Sequence, residues 1–219
     1  MSGIKYFLGY QKQLVKKTIS QWYYINRLRF KIRIAEDCFI SSDFIFGQNV
    51  KIGVGVQIGG DVILGNNVII GSNASISRIK VGNNSHIERG VVITGNGDGT
   101  IVIGEQSYIG INNILDWSGN ITIGDYVHIA GPSTSLWTHS SAKQVLAGLS
   151  LNDKNPKYRP IATITIENNV YIGGSCIISP GIIIGHHSIV APNSVVTKNV
   201  KPYTLVGGSP AVIIKSLEH

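Results

Sequence analysis

The sequence predicts an all-β protein built as a parallel β-helix, a solenoid of short strands wound in stacked coils. Three observations predict this fold: aliphatic residues recur every six positions, glycine follows many of them, and asparagine-rich pairs punctuate the segments. A period of six fits neither the 3.6-residue period of a helix nor the simple alternation of an ordinary strand. It describes a short strand closed by a turn, and three such segments make one coil of about 18 residues that stacks on its neighbours.

The six-residue repeat is long and regular. Its first run consists of Phe46, Ile52, Ile58, Leu64, Ile70 and Ile76, and Gly follows each of the first five. The register restarts at Ile103 and at Ile123, and the longest later run consists of Ile166, Ile172, Ile178, Ile184, Val190 and Val196. Because one coil alone cannot bury its aliphatic face, the stack of coils is expected to be the cooperative unit.

The sequence also predicts where the solenoid turns its corners and where the repeat is interrupted. Pairs such as Asn66-Asn67 and Asn168-Asn169 fall between the aliphatic positions, where Asn tolerates the left-handed backbone that tight corners need. The repeat is interrupted over residues 77–81, 94–100 and 133–160. Long loops inside a regular scaffold are usually functional, so residues 133–160 are predicted to project beside the functional site.

We expect three segments along the chain. Residues 34–201 form the solenoid, residues 1–33 form a short basic, amphipathic helical cap on its open end, and residues 202–219 form an irregular tail. Eight of the 19 Lys and Arg residues lie in 1–33, whereas the remainder has 11 basic and 12 acidic residues. The net charge of +7 therefore belongs to the N-terminal segment, and no nucleic acid is expected along the body.

The apolar segments and the cysteines of the chain predict where the protein is located. No apolar run reaches the roughly 18 residues of a membrane helix, and the first residues lack the apolar region of a signal peptide. Cys38 and Cys176 are far apart and are expected to be free thiols in a reducing compartment. We expect a cytoplasmic protein, with peripheral contact between residues 1–33 and the anionic inner face of the membrane as the alternative to a plain cap.

Four short motifs in the C-terminal half carry a family resemblance. They are Tyr-Ile-Gly at 171–173, Pro-Gly at 180–181, Ser-Val-Val-Thr-Lys at 194–198 and Gly-Gly-Ser-Pro-Ala at 207–211. With them, residues 51–215 resemble the hexapeptide-repeat acyltransferases, and within these the galactoside, maltose and virginiamycin O-acetyltransferase branch. The resemblance implies a left-handed winding, acetyl-CoA as co-substrate, and a homotrimer with its active sites between neighbouring subunits.

The resemblance also implies the site residues, beginning with His139 as the general base. A neutral imidazole can take the proton of an acceptor hydroxyl while that hydroxyl attacks a thioester; the alternative is an ordinary exposed loop histidine. Five residues are predicted to bind the acceptor, four in the coil before His139 and one close to His139 in sequence: Asn112, Asn113, Asp116, Trp117 and Trp137. The alternative is that the asparagines form a corner turn and the tryptophans pack against the solenoid.

For acetyl-CoA the resemblance implies a row of C-terminal positions. Gly174 stands where related enzymes often have Ser, so only its amide N–H remains as a donor near the thioester. The pantetheine and nucleotide are expected to lie against Pro192, Thr197 and Lys198. Lys201 and Lys215 are expected to bind the phosphates. The alternative is that they are solvated lysines of the C-terminal tail.

The activity that these residues predict is O-acetyl transfer from acetyl-CoA to a hydroxyl of a sugar or surface glycan. Two alternatives stay open: an N-acetyltransferase acting on an amino sugar or a serine-type acceptor, and a non-catalytic solenoid. No metal is expected, because the close histidine pair of zinc enzymes with this fold is absent, and His128 and His139 are eleven residues apart.

Overall fold

The structure, a computed structural model, describes residues 31–150, 152–153 and 155–217. The predicted helical cap therefore lies, except for its last residues, outside the described part of the chain. The described residues form 25 short strands and one helix, and the strands belong to three sheets, which we name A, B and C. The predicted solenoid of parallel β-strands is confirmed.

The strands follow the chain in the repeating order A, B, C. Sheet A contains Arg33–Ile34 (β1), Lys51–Ile52 (β4), Ile69–Ile70 (β7), His86–Ile87 (β10), Tyr108–Ile109 (β13), His128–Ile129 (β16), Tyr171–Ile172 (β19), Ile189–Val190 (β22), Thr204–Gly208 (β24) and Ala211–Ser216 (β25). Sheet B contains Phe39–Ile40 (β2), Gln57–Ile58 (β5), Ser75–Ile76 (β8), Val92–Thr94 (β11), Ile114–Asp116 (β14), Ser135–Leu136 (β17), Ile177–Ile178 (β20) and Val195–Val196 (β23). Sheet C contains Ile45–Phe46 (β3), Val62–Leu64 (β6), Ile79–Val81 (β9), Ile101–Ile103 (β12), Ile121–Ile123 (β15), Ile164–Ile166 (β18) and Ile183–Ile184 (β21).

Each six-residue segment places two side chains inside the solenoid. One is the repeating aliphatic residue, and the other is a smaller residue two positions earlier, as with Ile58 and Val56, both fully buried. The pair arises because side chains two apart on an extended chain share a face. The repeating aliphatic position was predicted from the sequence; the second inward position was not, and it proves important at the candidate site.

The corners of the coils use left-handed backbone, as the sequence predicts. Asn67, Asn84 and Asn169 have φ values of 57°, 57° and 59°. Side-chain amides also bond from coil to coil: Asn49 Nδ2 donates to Asn67 Oδ1 at 3.1 Å, and Asn67 Nδ2 donates to Asn84 Oδ1 at 2.9 Å. Asn therefore serves both the turn and the stacking of coils.

The length of the chain varies mainly at one edge of the solenoid. Equivalent sheet A positions are residues 51, 69, 86, 108, 128, 171, 189 and 205, so successive coils have 18, 17, 22, 20, 43, 18 and 16 residues. The segments that lengthen or shorten join sheet B to sheet C, apart from one extra residue near the Gly131-Pro132 bond. We call this line of connections the B/C edge, and the line joining sheet A to sheet B the A/B edge.

The longest insertion lies on the B/C edge and is shorter than predicted. The repeat was expected to be lost from residue 133, but Ser135 and Leu136 still pair with Ile114 and Leu115 in sheet B. The projecting loop therefore comprises residues 140–163, which contain the helix Ala142–Leu146 (α1). Inside the loop, Gln144 is buried and its Nε2 donates to Asp153 O at 2.9 Å.

The C-terminal segment differs from the expected irregular tail. Strand β24 continues sheet A in parallel beside β22, and β25 then turns back antiparallel to β24. The apolar residues at 205–206 and the β-branched run at 212–214 favour strands, although the six-residue repeat does not describe them. In the described part of the chain, no helix has the length and apolar character needed to cross a membrane.

Candidate active site

His139 lies on the B/C edge, where the projecting loop leaves the solenoid. Its Nδ1 is 2.6 Å from Oδ2 of Asp116, which ends strand β14 in the preceding coil. The parallel pairing of Leu115 with Leu136 sets this contact, because it places the residues that follow each strand side by side. About 21% of the His139 side chain is exposed, whereas that of Asp116 is 1% exposed.

Asp116 is held by a closed set of hydrogen bonds. Its Oδ1 accepts from Ser118 N at 2.9 Å, and its Oδ2 accepts from Thr138 N at 3.0 Å and Thr138 Oγ1 at 2.8 Å. Burial opposes the charge of this carboxylate, but the hydrogen bonds from Ser118, His139 and Thr138 outweigh it and hold the pKa of Asp116 below its ordinary value. Asp116 is therefore ionised at neutral pH.

The charge on Asp116 fixes the tautomer of His139. An ionised carboxylate only accepts hydrogen bonds, so the Nδ1 that contacts it must carry the proton. The lone pair of His139 then lies on Nε2, the ring nitrogen not bound by Asp116. This is the arrangement that a general base needs, since the free nitrogen receives the proton.

Two predicted acceptor residues are buried instead. Asp116 was expected to bind acceptor hydroxyls, but its oxygens are used by Ser118, Thr138 and His139. Asn113 is fully buried: its Nδ2 donates to Ala130 O at 3.2 Å and its Oδ1 accepts from Thr134 N at 2.8 Å. Asn113 occupies the second inward position, two residues before Leu115, so the periodicity itself could have placed it in the interior.

The two predicted tryptophans both lie on the B/C edge. Trp137 is next to His139 and 37% exposed, so its ring is available to a ligand. Trp117 is half-buried; its Nε1 donates to Ser77 Oγ at 3.1 Å, and the guanidinium carbon of Arg78 lies 5.1 Å from its ring centroid. The surface around Trp117 therefore combines an aromatic ring with a cation.

The remaining predicted residues divide between two edges. Thr197 and Lys198 follow strand β23 and lie on the B/C edge with His139. Asn112, Gly174 and Pro192 lie on the A/B edge, where Asn193 N donates to Gly174 O at 3.0 Å. Within one chain these two groups are separated by the width of sheet B, on the order of 15 Å for five residues of strand. Lys201 and Lys215 lie elsewhere, both exposed, before β24 and within β25.

Gly174 sits where a side chain does not fit. A Cβ there would lie 2.6 Å from the carbonyl oxygen of Gly131 in the preceding coil. Gly174→Ser is therefore expected to lower the free energy of unfolding by about 1–3 kcal/mol, because backbone must shift to admit the new atoms. Denaturant unfolding measures this loss. Gly60→Ser is the control, since a Cβ at Gly60 meets only Asp43 Oδ2 at 3.3 Å, and an equal loss in both variants would contradict the packing argument.

Four other histidines, at positions 86, 128, 186 and 187, lie away from the B/C edge. His86 and His128 are on the outer face of sheet A, alternating with Tyr108 and Tyr171 at ring-centroid distances of 4.6 to 5.5 Å. Desolvation lowers the pKa of His128 below its ordinary value. Within the described ranges, no group of three or more His, Cys, Asp or Glu side chains is arranged to hold a metal ion.

Sequence reasoning missed the residues that support the dyad of His139 and Asp116. Thr138 bridges the two coils: its Oγ1 donates to Asp116 and accepts from Gly119 N at 2.7 Å. Ser118 closes the other side of the carboxylate. Their signal in the sequence is weak, because Ser and Thr are common at solenoid corners. Only the stacking of coils shows that these residues surround one carboxylate.

Comparison with known proteins identifies the repeat and several similar acetyltransferases. The family model "Bacterial transferase hexapeptide (six repeats)" matches residues 45–78 and 163–198. Galactoside O-acetyltransferase of Escherichia coli is 32% identical over 137 residues, which is 63% of this chain and 63% of the relative, so the chain spans less than two thirds of that relative's length. A candidate lipopolysaccharide biosynthesis O-acetyl transferase of E. coli, WbbJ, is 29% identical over 56% of this chain and 74% of the relative.

A solved structure shares the fold. A variant of AntD, an N-acyltransferase from Bacillus cereus in complex with dTDP and coenzyme A, superposes with a TM-score of 0.62 at 24% identity, covering 76% of this chain and 86% of AntD. At this identity the likeness concerns the fold alone. The repeat, the solenoid and the sequence matches lead to one conclusion: the chain is a hexapeptide-repeat protein that is similar to the acetyltransferases with this repeat.

Proposed function

We propose that the protein transfers an acetyl group from acetyl-CoA to a hydroxyl of a sugar or surface glycan, with His139 as the general base. The observation that carries the proposal is the 2.6 Å contact between His139 Nδ1 and the buried carboxylate of Asp116. Sugar acceptors are favoured by the similarity to the galactoside O-acetyltransferase and to WbbJ. Such a reaction belongs in the cytoplasm, where acetyl-CoA is available.

The proposed reaction needs one base and one group of donors. His139 Nε2 takes the proton of the acceptor hydroxyl while the hydroxyl oxygen attacks the thioester carbonyl. The tetrahedral intermediate then expels the coenzyme A thiolate, which receives the proton from the imidazolium. Asp116 stabilises that imidazolium and holds the ring in place, so it is a positioning residue. An amide N–H such as that of Gly174 would stabilise the oxyanion.

Direct transfer in a ternary complex suits the surroundings of the two cysteines. Cys176 is fully buried, with its Sγ 3.2 Å from Ala191 O, and burial raises the pKa of its thiol. Cys38 precedes strand β2, five coils before the His139 coil, and its thiol pKa is also raised by burial. A thiol with a raised pKa is a poor nucleophile at neutral pH.

A homotrimer would complete this site. Gly174 and Pro192 on the A/B edge and His139 and Thr197 on the B/C edge cannot meet within one chain. In a ring of three copies, the A/B edge of one subunit can face the B/C edge of its neighbour. The coenzyme would then lie between two subunits, with Lys198 along its pantetheine and nucleotide and with Lys201 and Lys215 as candidates for its phosphates.

The test is acetyl-CoA turnover, followed by release of free thiol, against a panel of sugars, oligosaccharides and amino sugars. His139→Ala is expected to lower kcat by about 10²- to 10⁴-fold. His187→Asn is the matched control, because His187 is exposed, lies between sheets C and A, and has a φ of 57° that Asn tolerates. The control is expected to keep wild-type turnover.

Each other outcome changes the proposal. Turnover with amino sugars alone would favour the N-acetyltransferase alternative over O-acetyl transfer. Full activity in His139→Ala would remove the role assigned to the dyad. Absence of both acetyl-CoA binding and turnover would leave a solenoid with no catalysis.

A further inference from the structure

Two arginines meet at one turn on the B/C edge. Arg78 Nη1 is 3.5 Å from Gly97 O, and Arg159 Nη1 donates to Asn96 O at 3.1 Å. The two carbonyls belong to consecutive residues, so both guanidinium groups lie on the same turn, residues 94–100. This turn is firmly placed, because a Cβ at Gly97 would overlap Ser118 O of the next coil.

Neither guanidinium has an acidic partner. Over residues 31–150, 152–153 and 155–217, the contacts within 4 Å between basic and acidic side chains are His139 with Asp116 and His86 with Glu88. Arg78 Nε is buried and has no hydrogen-bond partner among those residues. Asp98, which lies on the same turn, is exposed and is within 4 Å of neither guanidinium. Two partly buried cations on one turn repel each other unless an anion joins them.

The arginine pair lies on the same edge as the proposed base. Residues 78, 96, 117 and 139 belong to four successive coils of the B/C edge. At about 4.8 Å per coil, the backbone of Arg78 is about 14 Å from that of His139 and the Asn96 turn is about 10 Å from it. Trp117 lies between, in contact with Arg78. Arg159 comes from the projecting loop, so the loop reaches back over this surface.

Outside residues 1–33, positive charge is concentrated in the projecting loop. The loop 140–163 contains Lys143, Lys154, Lys157 and Arg159 against Asp153, a net charge of +3. The other residues of 34–219 have seven basic and eleven acidic side chains, a net charge of −4. A positive patch on a negative body attracts an anionic ligand to this edge in preference to others.

We propose that the acceptor is anionic, with a carboxylate or phosphate held by Arg78 and Arg159 two to three coils away from the hydroxyl at His139. The planar guanidinium fork suits either anion, because it presents paired N–H donors to two oxygens. The backbone separation suits an acceptor longer than one sugar ring, such as an acidic oligosaccharide or a nucleoside diphosphate sugar. This inference rests on the proposed function, whose substrate class it specifies.

The experiment compares each charged acceptor with an uncharged counterpart. A glucuronate-containing oligosaccharide is tested against its methyl ester, and a nucleoside diphosphate sugar against the free sugar, so that the carboxylate and the phosphate are distinguished. The wild-type enzyme is expected to prefer one acid over its neutral counterpart by at least about 10-fold in kcat/KM. The preference should fall as salt rises, because the anion contacts are partly solvated.

The variants assign the preference to the arginines. Arg159→Gln is expected to reduce it by at least about 10-fold, and Arg159→Lys, which keeps the charge but loses the fork, should lie between. Lys157→Gln is the control: it removes one charge from the same loop, and Lys157 lies over the Tyr158 ring, so the preference should remain. Because Arg78 is partly buried, Arg78→Gln is compared only if its melting temperature matches that of the wild type. The Arg159 variants test the anion site without it.

Binding separates this inference from the proposed function. Calorimetry on His139→Ala measures acceptor binding without turnover. Anion-selective binding that depends on Arg159, without transfer by the wild type, would support the anion site while overturning the proposed activity. Equal use of the acid and its methyl ester, with acetyl transfer intact, would overturn the anion site alone. An equal effect of Lys157→Gln and Arg159→Gln would also overturn it, since it would reflect charge without a specific contact.

Discussion

Asp116→Asn is expected to lower kcat on the order of 10³-fold, although the substitution changes a single atom of a buried side chain. Ser118 N and Thr138 N donate to the carboxylate oxygens. Asn can orient its oxygen toward only one side and must present its NH₂ group to the other. On the Oδ2 side that NH₂ group donates a hydrogen bond to His139 Nδ1, so the proton of the neutral ring is carried by Nε2. The base is lost while the ring remains.

The readout that separates this role from a purely structural one is the division between kcat and KM. KM for acetyl-CoA should change by less than about threefold, because Asp116 is 1% exposed and its oxygens are bound by Ser118, Thr138 and His139. Asp98→Asn, at an exposed carboxylate on the same edge, is the matched control and should keep wild-type kcat. A loss confined to KM, or an equal loss in both variants, would contradict the assigned role of Asp116.

Ile178→Ala is expected to lower the free energy of unfolding by about 2–5 kcal/mol. Ile178 is a fully buried side chain of strand β20, between Leu136 and Val196 of the neighbouring coils. Truncation leaves a cavity that the stacked coils cannot close without shifting several backbone hydrogen bonds. Denaturant unfolding measures the loss from the change in midpoint at constant slope.

The control for this prediction is the adjacent residue. Ile177 belongs to the same strand but points outward and is 42% exposed. Ile177→Ala should cost less than about 1 kcal/mol in the isolated chain, since little apolar area returns to water. A cost at Ile177 that grows with protein concentration would show that sheet B is covered by another subunit. A cost at Ile178 no larger than at Ile177 would contradict the observed register.

The repeating positions were predictable because the residue type at each is determined by its place within a single six-residue segment. An inward aliphatic residue, a small residue after it and an Asn at the corner are each set within one segment of six. The order in which successive strands join sheets A, B and C follows once the period is known. The C-terminal strands were not predicted, because β25 runs antiparallel to its neighbour and so breaks the pattern by which the other strands were recognised.

The candidate site could be predicted only in part. The place of His139 followed from the family resemblance, but its partner was assigned to the acceptor. Asp116 and His139 are 23 residues apart, and neither residue alone shows that a coil of unusual length brings them together. Asn113 was misassigned for a different reason: its distance from Leu115 marks an inward position, whereas amide chemistry alone suggests a sugar ligand.

The confinement of insertions to the B/C edge has a consequence for how such proteins diversify. Two of the three connections in each coil keep a nearly constant length, so the interior stays aligned whatever the third connection contains. Mutations that add or remove residues there change the surface around His139 without disturbing the hydrophobic interior. Insertions at this one edge can therefore change substrate specificity while the buried interior, and with it the stability of the solenoid, stays the same.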